Sequence, residues 1–75
     1  PIPYTPEPAR HRPVFDPDAG EFVLVAIHHR QSLRPGAQIP GPAIIVEDET
    51  STVVTGLFDA AIDRFGYIEL TRRPS

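Results

Sequence analysis

Proline and glycine divide this chain into segments that are too short for helices. Ten prolines and five glycines are distributed along 75 residues, and short runs of β-branched and aromatic residues stand between them. Proline and glycine favour turns, whereas β-branched and aromatic residues favour strands. No stretch has the length and the capping residues of a helix. The sequence therefore predicts an all-β fold, a small barrel or sandwich of short, mostly antiparallel strands.

The first 13 residues contain half of the prolines of the chain. Such a density removes backbone donors and favours an extended, polyproline-like conformation. We predict a linker or strap over residues 1–13; a proline-rich ligand for an aromatic groove is the alternative. Exposed Tyr4 and Ile2 side chains that lie on a neighbouring domain would suit the linker best. A small β-domain then covers residues 14–71, and residues 72–75 form a tail. The prolines of the first segment are Pro1, Pro3, Pro6, Pro8 and Pro13.

Two apolar runs predict the central strands. Residues 21–27 read as a strand that is covered on both faces, because nearly every side chain is apolar. The turn residues 16–20 join this strand to Val14 and Phe15 in a hairpin. Residues 41–47 form a second strand that is apolar until the acidic residues begin, and the hydroxyl-rich run 50–54 also favours a strand.

The C-terminal half predicts two further strands with one buried face each. Phe58, Ala60 and Ile62 are expected to share the core-facing side of a strand, while Asp59 and Asp63 point the other way. After a turn around Gly66, Ile68 and Leu70 are expected to face the same core. A separate turn is predicted at residues 34–36, where proline is followed by glycine.

The composition excludes several classes of chemistry. The net charge is −3, every basic residue is arginine, and lysine and cysteine are absent. A nucleic-acid partner is disfavoured because phosphate binding needs a clustered positive surface. A disulfide, a thiolate metal site and a lysine Schiff base are impossible in this chain. No apolar run approaches the roughly 20 residues that cross a bilayer, so we expect no membrane segment and a cytoplasmic location.

The adjacent pair His28 and His29 resembles a metal-binding pair only at first sight. Neighbouring residues of a strand point to opposite faces, so both imidazoles cannot easily bind one ion, and no third ligand lies at a recognisable spacing. We expect the two residues to end a strand, with one ring hydrogen-bonding across the sheet. No metal ligand is predicted.

The acidic run Glu47, Asp48 and Glu49 could in principle hold a cation or supply a general base. The spacing does not match an EF-hand, and consecutive carboxylates are typical of a solvated loop tip. The hydroxyl groups nearby belong to no nucleophile elbow, and the glycines stand singly at turns rather than in a phosphate-binding loop. We therefore predict no catalytic and no cofactor-binding residue. The hydroxyl-bearing residues in question are Thr50, Ser51, Thr52 and Thr55.

Residues 30–45 carry the pattern of a known family. An arginine is followed by Leu33, a Pro-Gly turn and then Gly-Pro-Ala-Ile-Ile at residues 41–45. An acidic patch, a Ser-Thr-Val-Val run and the Asp-Arg-Phe-Gly-Tyr-Ile hairpin follow in register. Over residues 12–70 the chain resembles the C-terminal domain of the hydantoinase A, 5-oxoprolinase and acetone or acetophenone carboxylase family. It departs from the pattern at the two histidines and at Phe58, where tryptophan is common.

This resemblance implies a role inside a larger, ATP-dependent enzyme. Such enzymes hydrolyse cyclic amides or carboxylate ketones, with ATP and a divalent cation bound by actin-like domains that precede this one. The first hypothesis is an accessory structural and assembly domain that packs on those domains and on a second subunit, without being catalytic alone. Two alternatives stay open: the loop 47–50 reaches the active site of the parent enzyme, or the chain is a free-standing β-barrel binding module.

Overall fold

The computed structural model describes residues 1–74, and these residues form an all-β fold. A single turn of 3-10 helix at Arg30–Ser32 is the only helical element among them, and no helix that could cross a membrane occurs in this range. The all-β prediction is confirmed. The strands are β1 (Arg10–Asp16), β2 (Glu21–His29), β3 (Gln38–Pro40), β4 (Ala43–Glu47), β5 (Thr50–Val54), β6 (Phe58–Ile62) and β7 (Ile68–Arg72).

The strands form two small sheets that enclose one core. The four-stranded sheet has the order β1-β2-β4-β5, and the three-stranded sheet has the order β3-β6-β7. Only the β2–β4 pair is parallel among the strand pairs of residues 1–74, so the prediction of a mostly antiparallel sandwich is confirmed. The core side chains are Leu33, Ala37, Ile39, Ala43, Ile45, Val54, Ala60 and Ile62.

Side-chain alternation decides which residues reach this core. In β4, Ala43 and Ile45 are buried between the sheets, whereas Ile44 lies on the opposite, outer face. In β6, Ala60 and Ile62 are buried and Phe58 packs against them, as predicted. The same periodicity therefore leaves a second set of apolar side chains on the outside of the four-stranded sheet.

The prediction that β2 is covered on both faces is wrong for its first half. Phe22 and Leu24 are 69% and 67% exposed. The reason lies in the register: β4 pairs with residues 26–29 of β2, so residues 21–25 have a neighbouring strand only on the β1 side. The hairpin β1–β2 forms through the predicted turn, but its end projects beyond the sandwich.

The N-terminal segment packs against its own domain. The amide of Tyr4 donates to the carbonyl of Gly36 (3.0 Å), and the amide of Gln38 donates to the carbonyl of Tyr4 (2.8 Å). The ring of Tyr4 contacts the core, and its hydroxyl accepts a hydrogen bond from the amide of Arg34. Tyr4 therefore packs on its own domain rather than on a neighbouring one, while Ile2 is exposed. Strand β1 begins at Arg10, inside the segment 1–13.

Residues at the C-terminus help to hold the two sheets together. Strand β7 includes Arg72, and the guanidinium of Arg73 donates to the carbonyl of Gly41 (2.9 Å), the carbonyl of Gly56 (3.1 Å) and the carboxylate of Asp59 (2.7 Å). Arg72 and Arg73 of the predicted tail are thus part of the fold. The last residue of that tail, Ser75, lies outside the described residues.

Candidate interaction surface

The two histidines end β2 on opposite faces, as predicted. His28 pairs with Ile45 on the core side of the sheet, and His29 pairs with Val46 on the outer side. His28 is only 5% exposed. Burial lowers the pKa of His28, and the neighbouring His11 on β1 lowers it further. His28 is therefore a neutral side chain of the sandwich at neutral pH rather than one half of a paired site.

The acidic run forms an exposed turn between β4 and β5, which confirms the predicted loop tip. Asp48 has a φ of 39°, a left-handed conformation that aspartate tolerates better than most residues. The hydroxyl of Thr50 donates to the carbonyl of Glu47 and closes the turn (3.3 Å). Within residues 1–74, no group of three or more histidine, aspartate or glutamate side chains is arranged to hold a metal ion.

The hydroxyl-bearing residues support strand β5 and the turn after it. Thr50, Ser51 and Thr52 belong to β5, where Thr52 pairs with the buried Ile45. The hydroxyl of Thr55 accepts a hydrogen bond from the amide of Leu57 (3.4 Å). These positions agree with the interpretation of the run as a strand former.

The two sheets differ in the chemistry of their outer faces. On the three-stranded sheet, the outer side chains include Gln38, Asp59, Glu69 and Thr71, which are suited to water. The outer face of the four-stranded sheet carries at least one apolar side chain in every strand, beside polar ones such as Arg10, Arg12 and Ser51. Its apolar side chains are Val14 of β1, Val23, Val25 and Ile27 of β2, Ile44 and Val46 of β4, and Val53 of β5.

A groove runs across this apolar outer face. It has a volume of about 620 Å³, and Val23, Ile44 and Val53 line it. The exposed Leu57 lies at one side, and the carboxylates of Asp16 and Asp18 lie in the turn at the other. Contiguous apolar surface of this kind marks interaction sites in proteins. The arrangement offers an apolar contact area.

The projecting end of the β1–β2 hairpin continues the apolar surface. We call residues 13–24 the hairpin tip. The rings of Phe15 and Phe22 meet edge to face, with centroids 5.4 Å apart and an angle of 73° between their planes. Both rings are largely exposed. Sequence reasoning missed this surface because a continuous apolar run predicts burial without showing whether the cover belongs to the same chain.

Residues 5–73 match the family model of the hydantoinase/oxoprolinase C-terminal domain. The chain belongs to this family. An uncharacterized protein of Methanocaldococcus jannaschii is 32% identical over 69 residues, which cover 92% of this chain and 10% of that protein. A nucleotide-free structure of acetone carboxylase, from work on ATP-dependent acetone carboxylation, superposes with a TM-score of 0.68 and 33% identity over 72% of this chain and 8% of that chain.

The hydantoinase/oxoprolinase C-terminal domain is thus a small part of much larger relatives, since this chain spans a tenth or less of the length of either protein. The family resemblance predicted from the Gly-Pro-Ala-Ile-Ile pattern is confirmed. In the domain, that pattern forms the junction into β4, the strand that supplies side chains to both the core and the apolar outer face. The motif therefore marks the structural centre of the domain.

Proposed function

We propose that this domain is an accessory assembly domain of an ATP-dependent enzyme of the hydantoinase, oxoprolinase or ketone carboxylase type. The observation that carries this proposal is the apolar outer face of the four-stranded sheet. A sheet that is apolar on one side only would be complete within this sandwich. Here the second face is apolar as well: Val25 and Ile27 are buried within it, whereas Val53 and the neighbouring Leu57 are exposed.

The physical argument rests on the cost of leaving such a surface in water. Val53 and Leu57 on this side are 62% and 60% exposed, and the groove beside them extends to β1. Burying apolar area is favourable by about 25 cal/mol per Å², so contact with another protein surface stabilises both partners. Docking on the rest of the parent protein would bury the exposed apolar side chains of the outer face.

In this proposal, the catalytic chemistry of the parent enzyme takes place in its other domains. We propose that ATP and a divalent cation are bound by the preceding actin-like domains, that a second subunit completes the assembly, and that the enzyme acts in the cytoplasm. The absence of lysine and of a glycine-rich phosphate loop in this sequence supports that division. The acidic loop 47–50 lies at the opposite end of the four-stranded sheet from the hairpin tip, so docking through the tip directs the loop away from that contact.

A cleavable linker tests the assembly role in the intact parent protein. A protease site is placed just before Pro1, the purified protein is cleaved, and the products are separated by size-exclusion chromatography. We expect the cleaved domain to elute with the remainder of the protein, because the apolar interface holds it without the covalent link. Elution of the domain as a separate species, with turnover of the remainder unchanged, would contradict an assembly role.

A further inference from the structure

The hairpin tip is a two-stranded ribbon without a third strand or a covering sheet. Strand β4 pairs with β2 only from Ala26 onward, so Glu21 to Val25 are hydrogen-bonded to β1 alone. Val25 at the base of the ribbon is buried, whereas Phe15, Phe22 and Leu24 are exposed. A two-stranded ribbon with so little packing is marginally stable in water. The ordered conformation of the tip therefore needs stabilising contacts beyond the pairing of its two strands.

The tip is apolar on both of its faces. Phe15, Phe22 and Leu24 occupy one face, and Val14 and Val23 occupy the other. A ribbon that only rests on a flat surface would need one apolar face, with polar side chains on the other. Two apolar faces fit a cleft whose walls contact the ribbon from both sides.

The turn at the end of the tip is rigid. The carboxylate of Asp16 accepts hydrogen bonds from the amides of Asp18 (2.9 Å) and Ala19 (3.4 Å), and the amide of Gly20 donates to the carbonyl of Asp16 (2.8 Å). Gly20 adopts a φ of 70°, which glycine reaches without strain. Such preorganisation lowers the entropy that is lost on docking.

The negative charge of the tip indicates the charge of the surface that it would contact. Residues 15–24 contain Asp16, Asp18 and Glu21 and no arginine. Within residues 1–74, the single ion pair joins Arg73 and Asp59, so no arginine of the described residues forms an ion pair with a carboxylate of the tip. A partner with lysine or arginine around its apolar cleft is complementary to this pattern.

The outer edge of the ribbon disfavours a different mode of association. Pro13 lies within β1, the edge strand, and proline on an edge strand blocks regular pairing with another strand. Edge-to-edge addition of a second copy is therefore disfavoured. A partner surface would contact the side chains on the two faces of the ribbon instead.

We propose that the hairpin tip inserts into an apolar cleft, bordered by lysine or arginine, on the remainder of the same polypeptide. The proposal rests on the assembly function and names the contact through which it operates. This chain spans a tenth or less of its relatives, so most of the polypeptide surface in such proteins lies outside it. A tethered surface also acts at a high effective concentration, which favours contact within one polypeptide over contact between copies.

Photo-crosslinking in the full-length parent protein tests the location of the contact. A benzophenone amino acid replaces Phe22 in one sample and Phe65 in a second; the two side chains are similarly exposed, at 69% and 71%, but Phe65 lies in the turn between β6 and β7. We expect an intramolecular crosslink from position 22 to a peptide outside residues 1–75, and much less crosslinking from position 65. A crosslinked dimer, a crosslink to another subunit, or equal yields at the two positions would overturn the proposal.

Substitutions separate this proposal from the assembly role itself. In the protein with the cleavable linker, Phe22→Ser with Leu24→Ser should accelerate release of the cleaved domain by about tenfold or more, as expected for central apolar contacts. The matched control is Phe65→Ser with Tyr67→Ser, which removes equally exposed rings elsewhere and should leave release unchanged. Unchanged release in the tip variant, while the unsubstituted domain stays bound, would refute the tip contact and leave the assembly function standing. Release of the unsubstituted domain would instead count against the assembly function, and the crosslinking result would still decide where the tip lies.

Charge reversal tests the basic border of the cleft. Asp18→Lys with Glu21→Lys should also accelerate release and should weaken its dependence on salt, because it replaces attraction by repulsion. Glu47→Lys with Glu49→Lys is the control, since it changes the same amount of charge on the exposed loop at the other end of the sheet. Equal effects of the two reversals would show that net charge, rather than the tip, is responsible.

Discussion

His28 is a titratable residue that the fold keeps away from water. It lies on the core side of β2 and is close enough to His11 on β1 for the second ring to disfavour a charge on the first. Burial is the larger cause of its lowered pKa. The neutral form is therefore favoured in the folded state, whereas the unfolded chain has a histidine near its ordinary value of 6.5.

This difference makes the stability of the domain depend on pH in a defined direction. Well above pH 6.5 both states hold a neutral His28, so the residue contributes no pH dependence. As the pH falls below that value, the unfolded state binds the proton more readily, and the free energy of unfolding decreases until the folded-state pKa is reached. We expect chemical denaturation between pH 7 and pH 5 to show this decrease, and the variant His28→Gln to show less of it.

His29→Gln is the matched control for that experiment, because it removes a histidine from the outer face of the same strand and keeps His28. The same pH profile in the unsubstituted chain and in His28→Gln would show that His28 does not cause the effect.

At the scale of elements, the apolar runs predicted most of the strands but not all of their surroundings. The alternation of buried and exposed side chains in β6 and the turn between β1 and β2 depend on the local sequence, so both could be predicted from it. Strand β3 was missed because it has three residues and ends in Pro40, which makes it look like a loop. The parallel pairing of β2 with β4 depends on chain topology, and no local pattern reports it. The prediction that both faces of β2 are covered is wrong for its first half, because an apolar run does not show which strands or layers lie against it.

The junction between β3 and β4 shows why a glycine opens the family motif. The amide of Gly41 donates to the carbonyl of Phe58 (3.1 Å), and the carbonyl of Gly41 accepts from Arg73 (2.9 Å). A Cβ atom at this position would overlap the carbonyl oxygen of Thr55 and lie 2.6 Å from that of Phe58. Two segments of backbone therefore approach Gly41 too closely for any side chain.

Gly41→Ala should accordingly destabilise the domain. Its methyl group meets backbone rather than a flexible side chain, so the junction must open, and overpacking of this kind costs about 1–3 kcal/mol. Gly56→Ala is the control, because a Cβ there would meet only Pro42 at 4.0 Å. The free energies of unfolding in denaturant compare the two variants, and a Gly41→Ala protein as stable as Gly56→Ala would contradict the close approach.

At the scale of the whole molecule, the sequence predicted the family and the sandwich but not the surface through which the domain would act. The core side chains are few, and the largest fully buried ones are Ile39, Ile45, Ile62 and Val54. A domain of this size buries only about 60% of the surface that its unfolded chain exposes. The exposed tip and the outer groove add apolar surface that the isolated domain leaves in water. These features together predict a domain that depends on its surroundings for stability.

Thermal unfolding of the isolated chain tests that dependence. We expect a β-type circular dichroism spectrum and a melting midpoint that is low or that rises with protein concentration, because copies of the chain can cover the exposed apolar surface of one another when the parent is absent. The variant Phe22→Ser with Leu24→Ser should lose the concentration dependence, since these side chains lie outside the core and their removal leaves the packing between the sheets intact. Its midpoint at low concentration should therefore match that of the unsubstituted chain. A high midpoint that is independent of concentration in both proteins would show that the sandwich is self-sufficient, and the apolar outer surface would then need an explanation other than docking.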